Sequence, residues 1–111
     1  MLNMSDIIRG YTDTIILAQL LDHDSYGYEL GKHVQLATDG LLELKEATLY
    51  TTFRRLESGG HILSYWGDEQ TGARRRYYAI TEAGRALYAE NVADWQRAKS
   101  MINHLLKQEG E

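Results

Sequence analysis

Three consecutive arginines, Arg74, Arg75 and Arg76, stand in the segment TGARRRYYAI, just ahead of an aromatic, β-prone run. A guanidinium group presents five N–H donors in a planar fork, which suits it to bind the oxygens of carboxylates and phosphates. The whole chain is nevertheless acidic, with 16 Asp and Glu against 12 Lys and Arg and a net charge of −4. Adjacent like charges repel one another, so the cluster either decorates a solvated surface or faces a negatively charged partner.

The positive charge is concentrated in the middle of the chain. Residues 1–44 carry two basic and seven acidic side chains, residues 45–76 carry six and four, and residues 77–111 carry four and five. Nucleic-acid-binding domains are usually basic as a whole, and this chain is not. Any binding to DNA would therefore use a local basic patch.

Side chains that could support other chemistry are few and scattered. The four histidines, His23, His33, His61 and His104, form neither an i, i+4 pair nor an H-E-x-x-H motif, and the sequence contains no cysteine. Metal sites typically show one of those patterns or cysteine ligands. Because the sequence has none of them, we expect neither a metal nor another cofactor. The serine, histidine and aspartate residues show no spacing typical of an activated nucleophile, so we do not expect an enzyme.

The composition is that of a globular protein. Of the 111 residues, 43% are hydrophobic and 25% are charged, which suits one domain, or one domain with an appendage. The lack of cysteine is typical of a reducing compartment. The sequence has no signal-peptide pattern, and its longest apolar stretch is shorter than the about 20 residues that span a bilayer. We expect a cytoplasmic protein that does not associate with membranes.

Apolar periodicity, caps and glycines predict the order helix, helix, short strand, helix, hairpin, helix. Ser5 or Asp6 is expected to begin a helix that runs to about residue 22, and Asp24 or Ser25 to cap the second helix. The later elements are an extended segment over 41–44, a helix over 46–58 stopped by Gly59 and Gly60, strands over 61–66 and 74–80 around the loop 67–73, and a helix from 82 to about 107 capped by Thr81.

The helix predicted over 46–58 has two different faces. Leu49, Phe53 and Leu56 lie within about 60° of one another on a helical wheel and should face the core. Short side chains on the opposite arc would let the helix approach the major groove of DNA. The hairpin would then hold the arginines against the neighbouring phosphates, as a wing does. The predicted fold class is therefore mainly α, an α+β winged helix-turn-helix. The opposite arc carries Ala47, Thr48, Thr51, Arg54 and Arg55, with Tyr50 on its flank.

Three segments carry a family resemblance, namely YGYEL at 26–30, EATLYTTFRRLESGG at 46–60 and RRRYYAITEAGR at 74–85. They are similar to the signature segments of the PadR-type transcriptional regulators, in the same order and with the same spacing. The resemblance implies a winged helix-turn-helix repressor over residues 1–80, which binds a palindromic operator in double-stranded DNA, and a dimerisation helix over 81–111. The expected DNA contacts are Tyr26, Lys45, Ala47, Thr48, Tyr50, Thr51, Arg54, Arg74, Arg75 and Arg76.

The last predicted helix is long for the body that precedes it. About 26 residues of helix measure about 39 Å, and an exposed apolar seam of that length should be buried against a partner. The simplest partner is a second copy in a two-fold homodimer, which would place two recognition helices about 34–36 Å apart, one turn of DNA. The seam consists of Tyr88, Val92, Trp95, Ile102 and Leu106, and we expect Leu17, Leu20 and Leu21 of the first helix to share the interface.

Trp95 has two interpretations. It either fills space between two protomers or, as the resemblance to multidrug-binding members of the family implies, stacks a planar aromatic molecule in a pore between them. The other residues implied at the pore are Ile7, Gly10, Asp13, Val92 and Lys99. Those members have an acidic residue about one turn after the tryptophan, where this chain has Lys99, so cationic ligands should be less favoured. Asp13 either restores negative charge at the pore or is simply exposed.

These patterns predict a ligand-responsive dimeric repressor, in which a ligand that prefers another spacing of the recognition helices weakens operator binding. Two other functions remain open. The same fold could serve as a protein–protein interaction module, or as a dimer that sequesters ligands without binding an operator. The salt dependence of DNA binding separates these possibilities, since contacts with phosphates release counterions.

Overall fold

The structure is a computed structural model that describes residues 3–67 and 74–108. It is elongated, with extents of 55 × 30 × 21 Å. The elements are α1 (Met4–Ile7), a 3₁₀ turn (Arg9–Tyr11), α2 (Thr12–Gln19), β1 (Ser25–Tyr26), α3 (Gly27–Ala37), α4 (Glu46–Ser58), β2 (Ile62–Trp66), β3 (Arg76–Ile80) and α5 (Glu82–Leu105). Apart from Gly67, the loop predicted over 67–73 lies outside the described residues.

Helix α4 spans the residues predicted for it. Leu49, Phe53 and Leu56 are buried, which confirms the predicted core face. The helix ends where Gly60 adopts a φ of +80° and the N–H of His61 donates to the carbonyl of Leu56 at 2.9 Å. That left-handed conformation favours glycine, because a Cβ atom would crowd the backbone there.

One hydrophobic core joins the helices to the sheet. Phe53 of α4 stacks on Tyr78 of β3 with 3.9 Å between ring centroids. Leu17 and Leu20 of α2 are only 0% and 1% exposed within the single chain. The prediction that they share a dimer interface is therefore wrong, since their side chains are already used by the core. The buried apolar residues are Ile16, Leu17, Leu20, Leu30, Val34, Leu42, Leu49, Phe53, Leu56, Ile62 and Tyr78.

The single first helix that the sequence predicts is divided in two. Its N-cap is Asn3, earlier than predicted, whose Oδ1 accepts the N–H of Asp6 at 2.9 Å. Helix α1 ends at Ile7, and the 3₁₀ turn that follows contains Gly10, a poor helix former. Helix α2 then ends at Gln19, before the polar segment that precedes β1.

The sheet has three antiparallel strands in the order β1-β3-β2. In the predicted hairpin, Trp66 lies opposite Arg76, and on the other edge Tyr26 lies opposite Tyr77. The extended strand predicted over 41–44 is wrong, because that segment connects α3 to α4 without regular structure. The third strand is instead β1, which has two residues and is too short to show a period in the sequence.

Helix α5 begins in direct contact with the hairpin. Thr81 caps it as predicted, since its Oγ1 accepts the N–H of Gly84 at 3.0 Å while the hydroxyl donates to the carbonyl of Gly60 at 2.7 Å. Gly84 is buried against the strands. A Cβ atom there would lie 2.7 Å from Cγ1 of Ile80 and would collide with the carbonyl oxygen of His61.

The rest of α5 packs on α2 and then runs beyond the core. Leu87 and Tyr88 pack against the core, whereas Trp95, Ile102 and Leu106 are 39%, 47% and 65% exposed. The molecule is thus mainly helical with a small three-stranded sheet, as predicted. Helices α3 and α4 form the helix-turn-helix, and the hairpin β2–β3 forms its wing.

Candidate nucleic-acid interface

The face of α4 opposite the core is open to solvent and carries small polar side chains. Ala47, Thr48, Thr51 and Arg54 are all exposed, and Lys45 is exposed at the residue that precedes the helix. Each lies on the surface where the sequence placed it. The short side chains leave the backbone of α4 accessible along its first turns.

Tyr50 closes one side of this face and joins it to the start of α3. Its ring meets Phe53 edge-on, with 5.7 Å between centroids, and the residue is 41% exposed. A Cβ atom on Gly27 would lie 3.1 Å from the hydroxyl oxygen of Tyr50. Glycine at the first position of α3 therefore allows the two helices of the motif to approach closely.

The three arginines that lead into β3, of which only Arg76 belongs to the strand, contact aromatic rings on alternate sides of the hairpin, as expected for an extended chain. Arg74 and Arg76 lie over the ring of Trp66, at 4.9 and 5.5 Å from the centroid, and Arg75 lies over the ring of Tyr26 at 4.7 Å. Cation–π contacts of this kind position a guanidinium while its edge stays hydrated. The arginines are therefore held on aromatic rings, and all three are exposed.

Arg76 faces an acidic side chain of its own chain. Its Nη2 donates to Oγ of Ser64 at 2.8 Å and lies 3.9 Å from Oε2 of Glu57, to which Ser64 also donates at 2.6 Å. This network connects the wing to the last turns of α4. Part of the charge of Arg76 is thus compensated within the protein.

A row of aromatic rings extends from the wing to β1. Tyr65 stacks on Tyr77 with 5.7 Å between centroids, and Tyr77 meets Tyr26 edge-on at 5.3 Å. The hydroxyl of Tyr65 donates to the carboxylate of Asp24 at 2.5 Å, and this hydrogen bond is the main reason that the pKa of Tyr65 is raised to about 12. The row fixes the ring of Tyr26, on which Arg75 lies.

Two further arginines border the exposed face of α4, and the sequence did not single them out as DNA contacts. A groove of about 300 Å³ runs beside the helix, and Arg9 and Arg55 contribute to its walls together with Thr48 and Thr51. Arg9 pairs with Asp6 at 2.7 Å. Arg55 pairs through two hydrogen bonds with Asp13, 42 positions earlier. The helical wheel already placed Arg55 on the polar arc, but a contact over that separation leaves no signal in the sequence.

A second, apolar groove lies between the N-terminal helices and α5. Its volume is about 360 Å³, and the ring of Tyr11 meets the indole of Trp95 edge-on at 5.1 Å. The lining residues are uncharged: Ile7, Ile8, Tyr11, Thr14, Ile15, Ala18, Tyr88, Val92 and Trp95.

Of the predicted ligand contacts, the structure brings Ile7, Val92 and Trp95 together in this groove. Gly10, Asp13 and Lys99 do not line it. Asp13 turns the other way, toward Arg55 on α4. Within the single chain Asp13 thus forms an ion pair, and its place at a pore between protomers stays a prediction.

Among residues 3–67 and 74–108, no group of three or more His, Cys, Asp or Glu side chains could hold a metal ion. Over the same residues, no helix has the length and apolar character needed to cross a membrane. The surface around α4 carries hydroxyl donors and cations, with the carboxylate of Glu46 exposed at the first residue of the helix. Donors and cations of this kind suit an anionic polymer with a regular backbone.

Known proteins resemble the chain over most of its length. Residues 16–90 match the model of the transcriptional regulator PadR-like family. An uncharacterised protein of Lysinibacillus sphaericus is 44% identical over 99 residues, which cover 89% of this chain and 91% of that protein.

Solved structures show the same similarity. A transcriptional regulator from Clostridium thermocellum superimposes with a TM-score of 0.84 at 49% identity, covering 90% of this chain and 97% of that one. A PadR family transcription regulator from Clostridium difficile gives a TM-score of 0.76 at 37% identity, covering 87% and 99%.

Proposed function

The chain belongs to the PadR-like family of transcriptional regulators, which are not enzymes, and from that premise we propose that it is a repressor that binds double-stranded DNA. Helix α4 would enter the major groove with Thr48 and Thr51 near the bases. The wing would hold Arg74 and Arg75 against the adjacent phosphates. The observation that carries the proposal is the coincidence of an exposed, small-side-chain helix face with arginines fixed on aromatic rings beside it.

The proposal assigns different tasks to the two parts of this surface. Contacts from arginine to phosphate position a protein on DNA without reading its sequence, whereas contacts with base edges select the operator. Arg54, Arg74 and Arg75 therefore supply affinity, with Tyr26, Tyr50 and Lys45 at the edges of the same surface. Ala47, Thr48 and Thr51 supply discrimination among sequences.

We further propose a two-fold homodimer formed through the exposed part of α5. The apolar side chains beyond the core are too numerous for a surface that stays in water, and they include Trp95, Met101, Ile102, Leu105 and Leu106. A dimer would present two copies of α4 to a palindromic operator.

The third proposal is that a planar aromatic molecule binds in the apolar groove beside Trp95 and changes DNA affinity. Segments of the chain resemble the multidrug-binding repressor LmrR, and the groove offers an indole edge within a wall that has no charge. A ligand that favours one spacing of the two α4 helices over another would shift operator binding by that preference.

The test of the first proposal is a titration of a labelled duplex, taken from the DNA upstream of this protein's own gene, at several salt concentrations. Each phosphate contact contributes about 0.9 to the slope of log K against log salt, so a dimer with four to six contacts should give a slope of about −4 to −5. Absence of binding at low ionic strength would contradict DNA binding and favour an interaction module or a ligand-sequestering dimer.

A Thr51→Ala variant tests the division of tasks. If Thr51 reads bases, the variant changes the ratio of affinities between the operator and a scrambled duplex of equal length. An equal loss on both duplexes would remove Thr51 from the base-reading residues.

A further inference from the structure

We infer that Asp13 is a positioning residue for Arg55, which it holds so that the guanidinium contacts a DNA phosphate beside the exposed face of α4. The inference rests on the proposed DNA binding. It adds a contact between Arg55 and a phosphate, and it assigns Asp13 the role of positioning that arginine. It concerns the ion pair that joins α2 to α4.

The geometry of the pair fixes the plane of the guanidinium. Nε of Arg55 lies 3.4 Å from Oδ2 of Asp13, and Nη2 of the same arginine donates to Oδ1. Two donors on one edge thus meet both oxygens of one carboxylate, the fork arrangement that is strongest and most directional for arginine. The hydrogen bond and charge of Asp13 also raise the pKa of Arg55.

The pair leaves the other edge of the guanidinium available. Of its five N–H donors, Asp13 engages one on Nε and one on Nη2, so those on Nη1 are not used by this contact. The side chain of Arg55 is 55% exposed, whereas that of Asp13 is 32% exposed. The arginine therefore stands on the outer side of the pair, with the carboxylate behind it.

The position of the pair matters because it borders the surface proposed to meet DNA. Arg55 lines the same groove as Thr48 and Thr51 of α4. A guanidinium held in advance loses less side-chain freedom on binding than one that moves freely. Asp13 would thus favour binding even though it carries the same sign of charge as DNA.

The ion pair of Arg9 with Asp6 provides a matched comparison on the same groove. It joins residues three positions apart, at 2.7 Å through one Nη2 contact, and the side chain of Arg9 is 79% exposed. It does not connect two separate helices of the core. Asp6→Asn removes one negative charge, as Asp13→Asn does, so the general electrostatic effect on DNA affinity is equal in the two variants.

The experiment measures binding of full-length variants to the upstream duplex by fluorescence anisotropy over a range of salt. Arg55→Ala should flatten the salt slope by about 2, because one contact is lost in each protomer of a dimer. Asp13→Asn should keep the slope but bind about 3- to 10-fold more weakly than Asp6→Asn, the range that corresponds to immobilising one long side chain. In the Arg55→Ala background, Asp13→Asn should change the affinity only as much as Asp6→Asn does.

Arg55→Lys supports the same inference by another route, since lysine keeps the charge but has no planar fork. Arg55→Lys should preserve the salt slope and lower the affinity for DNA. If Asp13→Asn does not fold, Arg55→Lys tests the inference in its place. A readout without DNA is the NMR signal of the Arg55 Nε–H, which should exchange with water faster in Asp13→Asn than in the wild type.

Three results would overturn the inference while leaving DNA binding intact. They are an unchanged slope in Arg55→Ala, equal or tighter binding by Asp13→Asn relative to Asp6→Asn, and full additivity of the two substitutions. Tighter binding would mean that Asp13 competes with the phosphate. If the wild-type protein binds no duplex, the proposed function itself fails and the inference falls with it.

Discussion

At the scale of single residues, the three adjacent arginines are chemically identical but structurally different. Arg75 lies on the ring of Tyr26, whereas Arg76 reaches Ser64 and approaches Glu57. A cation with a carboxylate partner in its own chain offers less to a phosphate than one held on a neutral ring. Within this run of like charges, Arg76 thus fastens the wing to α4, whereas Arg75 lies exposed on the ring of Tyr26.

We therefore expect Arg75→Ala and Arg76→Ala to have different effects. Arg75→Ala should flatten the salt slope by about 2 in a dimer and leave the unfolding midpoint almost unchanged. Arg76→Ala should change the slope less and lower the free energy of unfolding by up to about 1 kcal/mol, as expected for an exposed pair with one hydrogen bond. The measurements are salt-dependent anisotropy and urea unfolding. Identical slopes for the two variants would show that Arg76 gives up Glu57 when DNA binds.

The hydroxyl of Tyr65 gives the wing a dependence on pH. Its pKa rises from 10.0 to about 12 because it donates to Asp24. A tyrosine whose folded pKa lies above its unfolded value stabilises the protein below the unfolded pKa, and that contribution is lost as the pH rises through the folded pKa. The stability difference between wild type and Tyr65→Phe should therefore be constant below pH 10 and shrink between pH 10 and about 12.

The titration itself can be followed by the ultraviolet absorbance of tyrosinate, as the difference between wild type and Tyr65→Phe. Asp24→Ala is the control, because it removes both the hydrogen-bond acceptor and the charge. In that variant the difference titration should move back toward the ordinary tyrosine pKa. An ordinary pKa in the wild type would mean that the hydrogen bond to Asp24 does not persist in solution.

At the scale of elements, the junction between the wing and α5 depends on the absence of one side chain. Gly84 packs on the His61 carbonyl and on Ile80 with no room for a Cβ atom. Gly84→Ala should therefore lower the free energy of unfolding by about 1–3 kcal/mol, although alanine is the better helix former. Gly10→Ala is the matched control, since no atom lies within 4 Å of its added Cβ. Urea unfolding of both variants would show the difference, and equal stabilities would contradict the tight contact.

The elements that the sequence predicts well are those with strong local signals. Helix α4 has a strong apolar period and a double glycine after it, and Thr81 caps α5, so local signals agree with the final structure. Strand β1 has two residues, and its place in the sheet depends on pairing with β3, far away in the sequence. Local patterns cannot contain that information.

In the candidate site too, the sequence predicts local features but not the contacts between separate elements. Thr48 and Thr51 could be predicted as exposed from the helical wheel alone, because the opposite face is apolar. The pairing of Asp13 with Arg55 and of Arg76 with Glu57 depends on how separate elements meet, which no spacing in the sequence records. Leu17 and Leu20 were misassigned for the same reason, since an apolar stripe does not reveal which partner buries it.

At the scale of the whole molecule, the oligomeric state of the chain depends on α5. Its 24 residues correspond to about 36 Å of helix, and its C-terminal half leaves the core with apolar side chains exposed. A dimer formed there would make thermal stability depend on protein concentration, because association stabilises the folded state by mass action.

Ile102→Asp should therefore give a monomer, since burying a carboxylate in an apolar interface is costly. Ser100→Asp is the control, because it adds the same charge to the same stretch of helix away from the seam. Sedimentation equilibrium should report a dimer for the control and a monomer for Ile102→Asp. If the wild type is itself monomeric at every concentration, the seam of α5 has another partner.

The apolar groove allows the last prediction, which concerns the charge of the ligand as well as its shape. Its described lining is uncharged, since Asp13 is turned toward Arg55 and Lys99 lies outside it. A neutral planar dye should therefore bind more tightly than a cationic dye of equal size, because no carboxylate in the groove compensates the cost of desolvating the cation.

The chain has two tryptophans, so a Trp66→Phe background makes quenching report Trp95 alone. In the wild-type background, followed by dye fluorescence, Trp95→Ala should weaken the neutral dye about tenfold, a loss of about 1.4 kcal/mol, as expected for one stacking ring. Equal affinity of Trp95→Ala and wild type would leave Trp95 as packing, and a preference for the cationic dye would mean that a carboxylate reaches the ligand in the dimer.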